Sequence, residues 1–212
     1  MLFGGVLFRE KHQQVPMSLL REMAKAVSSS YQPIGAGSGP VGFFTTGGAS
    51  RIESAPDVLI TEDLDLTTHQ GLTRGGAIRG VNERLLGAHY RREGWRFVDR
   101  LRSGFAFALW DRRKQQLILA VDPFGIKRLY YMMDDTKFAF ASHHNALLVL
   151  PGAANRHDPN AGKVHRLQPG RVLILTNDAI RLETTAAQKT REGGKDRLER
   201  LRDTQRLGAL QG

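Results

Sequence analysis

Four short runs between residues 104 and 142, GFAFALWD, QQLILAV, RLYYMM and KFAFAS, constrain the fold of this chain more than any other feature. GFAFALWD alternates at period two, QQLILAV is apolar throughout, and the last two flank an Asp134-Asp135 turn, so the runs predict two consecutive β-hairpins. Between the hairpins lies DPFGIK, residues 122–127. Asp122 and Gly125 are expected to make a turn between two paired strands, with Gly125 free to adopt positive φ. Leu129, Tyr130 and Tyr131 then supply large side chains to a sheet face. Within the first hairpin, Phe105, Phe107, Leu109 and Trp110 are expected to face Leu117, Leu119 and Val121.

The flanking elements follow from the same kind of pattern. GGVLF is a short buried strand whose glycines permit close backbone approach. Pro16 suits the first turn of a helix in which Leu19, Leu20, Met23, Ala24 and Val27 recur at helical spacing. SSSYQPIGAGSGP breaks that helix, VGFF and DVLITEDLDL are strands, and GGAIRGVNERLLGAHYRREG is a helix that Gly94 is placed to end. Its apolar stripe is assigned to Ile78, Val81, Leu85 and Ala88. NALLVL is a short helix, and GRVLILT with AIRLE forms a last hairpin. Helices interleaved with antiparallel strands predict two packed sheets covered by helices.

Composition then removes whole classes of function. The 212 residues contain no cysteine, which excludes disulfides, thiolate metal sites and cysteine nucleophiles from this chain. The first apolar run, MLFGGVLF, is too short to span a membrane and lacks the basic front of a signal peptide, so the expectation is a cytoplasmic protein with no membrane partner. A formal charge of +10 invites a nucleic-acid reading. Its distribution argues against one: Lys189 to Gly212 holds seven basic and four acidic residues, and no nucleic-acid-binding motif accompanies the rest. The adjacent His143 and His144 are expected to diverge on a helix and to bind no metal.

FVDRLRSGFAFALWDRRKQQLILAVDPFGIKRLYY followed by FAFASHHNALL closely resembles the glutamine amidotransferase domain of asparagine synthetases. The resemblance is strong over residues 84–148, and LQPGRVLIL continues it. It implies an α+β fold, the four-layer αββα sandwich of the N-terminal-nucleophile hydrolases, over residues 1–185. Residues 186–212 have no counterpart and are expected to form a mobile basic tail. By this resemblance Asp122, Gly125, Lys127 and Tyr130 belong to a family motif whose role here is mainly structural.

The resemblance also implies a chemistry that this sequence lacks the parts for. Working members expose an N-terminal cysteine whose thiolate attacks the glutamine amide. Leu2 stands at that position here. The family segment that supplies oxyanion-hole donors is replaced by TEDLDL, residues 61–66, where Glu62 and Asp63 would repel developing negative charge. Arg51 is the candidate for the arginine that holds glutamine. TTGGAS, residues 45–50, lacks the aspartate of the Ser-Gly-Gly-x-Asp-Ser loop with which relatives bind ATP, and no cofactor is expected. β-Lactam synthetases and lasso-peptide cyclases resemble this chain in keeping such a domain without its cysteine. The expectation is a domain without glutaminase chemistry that binds or scaffolds a separately encoded, amide-forming, ATP-dependent synthetase. A truncated remnant and a basic nucleic-acid-associated protein are the alternatives.

The charge argument yields a first test. Any nucleic-acid binding is expected to be weak, to vanish at physiological salt and to fall when residues 189–212 are deleted. Tight, tail-independent binding in a filter or mobility-shift titration at that salt would put nucleic acid first among the functions.

Overall fold

A computed structural model describes residues 2–10, 12–28, 34–46, 52–64, 82–101, 104–153, 163–176 and 179–193. Twelve strands in these stretches form two six-stranded antiparallel sheets. In chain order they are β1 (Phe3–Phe8), β2 (Ile34–Ser38), β3 (Val41–Thr45), β4 (Glu53–Ser54), β5 (Val58–Leu64), β6 (Phe105–Asp111), β7 (Gln116–Val121), β8 (Tyr130–Met133), β9 (Lys137–Ala141), β10 (His165–Arg166), β11 (Arg171–Leu175) and β12 (Ile180–Thr184). The first sheet runs β10-β8-β9-β1-β3-β2, the second β12-β11-β7-β6-β5-β4. Helices α1 (Met17–Lys25) and α3 (Asn145–Leu148) lie against the first sheet. Helix α2 (Asn82–Glu93) and the 3-10 turn Gly94–Arg100 lie against the second. Residues 186–193 are helical and form α4.

Three apolar layers account for the four-layer stack. Phe3, Val41, Phe43 and Phe140 of the first sheet meet Leu59, Trp110, Leu119 and Leu173 of the second. Leu20, Met23 and Leu147 cover the outer face of the first sheet over Val6 and Phe44. Leu86, Tyr90, Phe97 and Val98 cover the second over Phe105, Phe107 and Ile118. This is the α+β, αββα arrangement that the family resemblance implied, with the two helix-covered sheets expected from the element order. No helix among the described residues is long and apolar enough to cross a membrane.

The glycines of β1 have the role expected of them. A Cβ on Gly4 would lie 2.6 Å from the Phe140 carbonyl oxygen, and one on Gly5 2.5 Å from that of Gly42. Backbone from both neighbouring strands therefore presses against β1, which pairs with β3 and β9 at once. Alternation turns Phe3, Gly5 and Leu7 toward the second sheet, and Gly4, Val6 and Phe8 toward the helices.

Several expectations are corrected. DPFGIK does not join paired strands: β7 belongs to the second sheet and β8 to the first, so the loop carries the chain across the sandwich. The two faces of β6 also separate what the sequence reading had combined. Trp110, Ala108 and Ala106 lie opposite Leu117, Leu119 and Val121 on the inner face. Phe105, Phe107 and Leu109 face the helix layer with Ile118 and Ala120, because one step along a strand reverses the side chain. On α2, Ala88 is exposed and Leu86 and Tyr90 are buried instead; Ile78, Val81 and the Leu85 side chain lie outside the described residues. IGAGS, taken for part of a breaker, is strand β2, paired along its length with β3. Gly94, at φ +63°, does end α2.

Phe107 is fully buried and stacks on Phe97 at 5.5 Å between ring centroids. Phe107→Ala is expected to cost roughly 3–5 kcal/mol through lost burial and the cavity left behind. Denaturant melts check this, and a variant that melts like the parent would show that β6 does not carry the helix-facing core.

Candidate functional site

The crossover loop reaches the second sheet at β5, where Lys127 meets Asp63 at the edge of the inter-sheet cleft. β1 and β3 come within 8 Å of β5, measured between Cα atoms, closer than the ordinary face-to-face spacing of about 10 Å. The small residues of β1 and the short side chains of Thr61 and Ala106 allow the approach.

Asp122 organises the crossover. It is fully buried, its Oδ1 accepts the amides of Phe124 (2.9 Å) and Ile126 (3.1 Å), and its Oδ2 accepts the amide of Lys127 (2.9 Å). Its own amide donates to Phe105 O, and its carbonyl accepts from Gly170 N at 3.0 Å. A carboxylate is the acceptor-only group that can receive so many amides with both oxygens. Gly125 sits in this ring at φ +70°, and a Cβ there would lie 2.9 Å from Pro169 Cγ.

Lys127 reaches from the loop to β5, its Nζ 2.9 Å from Asp63 Oδ1, with both side chains three-quarters buried or more. Asp63 lies opposite Ala106 and so faces the inter-sheet layer. Glu62 lies opposite Phe107 on the helix-facing side. Of the two acids singled out in TEDLDL, only Asp63 addresses the cleft, and there it is paired with a cation. Asp65 and Leu66 of that segment lie outside the described residues.

The start of β1 is braced by hydroxyls. Ser142 Oγ accepts the Phe3 amide at 2.9 Å and donates to the Phe3 carbonyl at 3.2 Å. Thr45 and Thr46 donate their hydroxyls to the Leu2 carbonyl, which also accepts the Thr46 amide. Leu2 itself is half-buried. No imidazole is hydrogen-bonded to any of these hydroxyls among the described residues, so no serine or threonine there is coupled to a base.

The sequence candidates thus divide. Asp122, Gly125 and Lys127 share one loop at the edge of the cleft. Tyr130 lies on the other face of its sheet, packed toward the helices with its ring 5.6 Å from that of His144. Arg51 lies outside the described residues. His143 and His144 do not diverge: their rings stack at 4.8 Å, because both precede α3 instead of lying on it. No three His, Cys, Asp or Glu side chains cluster at metal-binding distances among the described residues.

One feature has no counterpart in the sequence reading, and another corrects it: residues 186–193, expected to begin a mobile tail, are held as a helix by bonds to the folded domain. Helix α4 docks on the crossover: Ala186 N donates to Asp99 Oδ1, Arg191 donates to the Pro123 carbonyl, and its guanidinium covers the Phe124 ring at 5.2 Å. Between them lies a cavity of about 370 Å³ lined by Phe124, Pro169, Arg171, Gln188 and Arg191. At the far end of the second sheet the buried Tyr90 hydroxyl donates to Asp111 Oδ2 at 2.6 Å. Burial first, and then the Asp111 carboxylate, push that phenol far up, so it remains a donor. Nearby, hydrogen bonds from Arg91 hold Asp57 down at about 2.

Residues 80–149 match a family model described as a glutamine amidotransferase domain, the same stretch in which the strand runs and the crossover loop lie. A putative glutamine-hydrolysing asparagine synthetase of Methanocaldococcus jannaschii is 36% identical over 90 residues, 41% of this chain. The chain carries an asparagine synthetase-like glutamine amidotransferase domain. An asparagine synthetase of Bacillus subtilis is 41% identical over 61 residues, and the amidase chry2 of Gibberella zeae 44% over 61 residues. The matched stretches span only a small part of these relatives: 17% of the archaeal protein and 9% of each of the other two. In fold, the glutamine phosphoribosylpyrophosphate amidotransferase of B. subtilis superposes with a TM-score of 0.61 over 87% of this chain and 49% of its own, at 14% identity. The likeness in fold therefore extends well beyond the stretch matched in sequence.

Gly125→Val places a β-branched residue at positive φ and against Pro169, so it is expected to lower the melting temperature more than an exposed-site control such as Arg113→Val. Calorimetric melts of the two check it, and equal melting would show that the loop can relax without its glycine.

Proposed function

We propose that this amidotransferase domain has given up glutamine hydrolysis and acts as a binding or scaffold partner of a separately encoded, ATP-dependent, amide-forming synthetase. The absence of cysteine from the 212 residues carries this reading, because the thioester route has no thiolate to begin it. The cleft adds support. The hydroxyls nearest the start of β1 are committed to backbone atoms, and Asp63, in the segment to which the family resemblance assigns oxyanion-hole donors, turns a carboxylate toward the inter-sheet layer. Lys127 answers that carboxylate, so the pair is complete without a substrate. The strands of the matched region, by contrast, keep their inner faces packed in the inter-sheet core.

Purified protein is expected to release no ammonia from glutamine above a buffer blank. Leu2→Cys is expected to stay silent too: continuing the alternation of β1 turns position 2 away from the cleft, toward the helix side. Turnover by the parent, lost on denaturation, would overturn the loss of chemistry; turnover by Leu2→Cys alone would show an intact pocket and overturn the reading of TEDLDL as a dismantled oxyanion site. The scaffold role has its own measurement. A synthetase with a Ser-Gly-Gly-x-Asp-Ser loop and no amidotransferase domain, encoded beside this chain, should co-elute with it and form amide from free ammonia faster in its presence. An unchanged rate and separate elution would reject the partnership.

A further inference from the structure

The second sheet ends on β12, and three properties of that strand fit it to another copy of itself. First, its outer edge is open among the described residues. Thr176 N donates to Ala179 O and Thr185 N to Gly170 O, each at 2.9 Å, and the register pairs Ile174 with Arg181 and Val172 with Glu183. In an antiparallel ladder the backbone groups of successive residues point to opposite sides. Arg181 and Glu183 therefore direct their amides and carbonyls at β11, while Ile180, Leu182 and Thr184 direct theirs outward. Unpaired edges of this kind are templates for another strand.

Second, the inner face of β12 is apolar and uncovered. Ile180 and Leu182 lie opposite Leu175 and Leu173, which are buried between the sheets, yet they remain 45% and 57% exposed. Third, the charges select a partner and a register. With Leu182 opposite Leu182 across a two-fold axis, the outward backbone groups of Leu182 bond reciprocally, and those of Ile180 bond those of Thr184. Arg181 then stands opposite Glu183, twice by symmetry. The neighbouring registers that also match outward groups put Arg181 against Arg181, or Glu183 against Glu183. Neither side chain is engaged in an ion pair among the described residues.

We propose that two copies of this chain join through β12, antiparallel and centred on Leu182, to make the two second sheets one continuous sheet. The interaction covers the exposed Ile180 and Leu182 and is isologous, so it closes at a dimer.

Sedimentation or light scattering of the full chain should give a dimer at micromolar concentration. Arg181→Glu or Glu183→Arg alone sets like charges against each other twice, and each is expected to weaken the dimer roughly tenfold or more. The double exchange, Arg181→Glu with Glu183→Arg, restores opposite charges and should return the parent affinity. Circular dichroism melts confirm that the single variants stay folded, which their exposed positions predict. A monomer at all concentrations overturns the proposal. So does a dimer that ignores the single charge reversals, or one that the double exchange does not rescue. A chain that becomes dimeric only when residues 194–212 are deleted would assign the edge to that segment instead.

Discussion

The buried carboxylate of Asp122 is the interaction on which the sandwich depends. A chain leaving one sheet for the other must cross the apolar layer with several amides that neither ladder can satisfy, and an unpaired buried amide is costly. Asp122 gathers those of Phe124, Ile126 and Lys127 on one side chain. Its backbone meanwhile ties the end of β7 to Phe105 on β6 and to Gly170 before β11. The loop is thereby fixed to two neighbouring segments of the second sheet before it enters the first. Lys127 adds the link to β5, and Arg191 clamps the outside through Pro123. The family motif is thus an architectural joint whose polar groups are almost all turned inward on itself.

Much of this was legible in the sequence, for definable reasons. Strands such as β6 and β9 announce themselves because each residue repeats a period of two, and Gly94 and Gly125 because positive φ is a local requirement. What was hidden depended on which surface each element met. QQLILAV and RLYYMM look like hairpin partners locally, and only packing assigns them to different sheets. The α2 face is similar: Ala88 and Leu86 are equally plausible on a helical wheel, and contact with Phe97 and Phe105 decides for Leu86. IGAGS carries the glycines of a breaker, yet pairing with β3 overrides that weak preference.

The candidate site was less legible than the fold. Leu2 and the missing cysteine are read directly from the chain, but Asp63–Lys127 joins residues 64 positions apart and no local pattern connects them. The sequence reading gave Glu62 and Asp63 one role, and the pleat of β5 separates them onto opposite faces. The hydroxyl brace at Leu2 and Phe3 was invisible for the same reason, since Ser142 is distant in sequence and adjacent only through the β1–β9 pairing.

That pairing has a consequence for how the molecule is made. β1 is an interior strand of its sheet, with Gly4 matched to Phe44 on one side and to Ala141 on the other. During synthesis β1 can acquire its first neighbour early, but its second neighbour emerges only after most of the other sheet has been translated. The glycine backbone that fits so closely between two strands must wait half-covered through that interval. Folding of such long-range pairings is slow because chain closure comes before the contacts that stabilise it. The order of translation therefore favours a second sheet already assembled on β5, β6 and β7, against which the first is completed when β9 arrives.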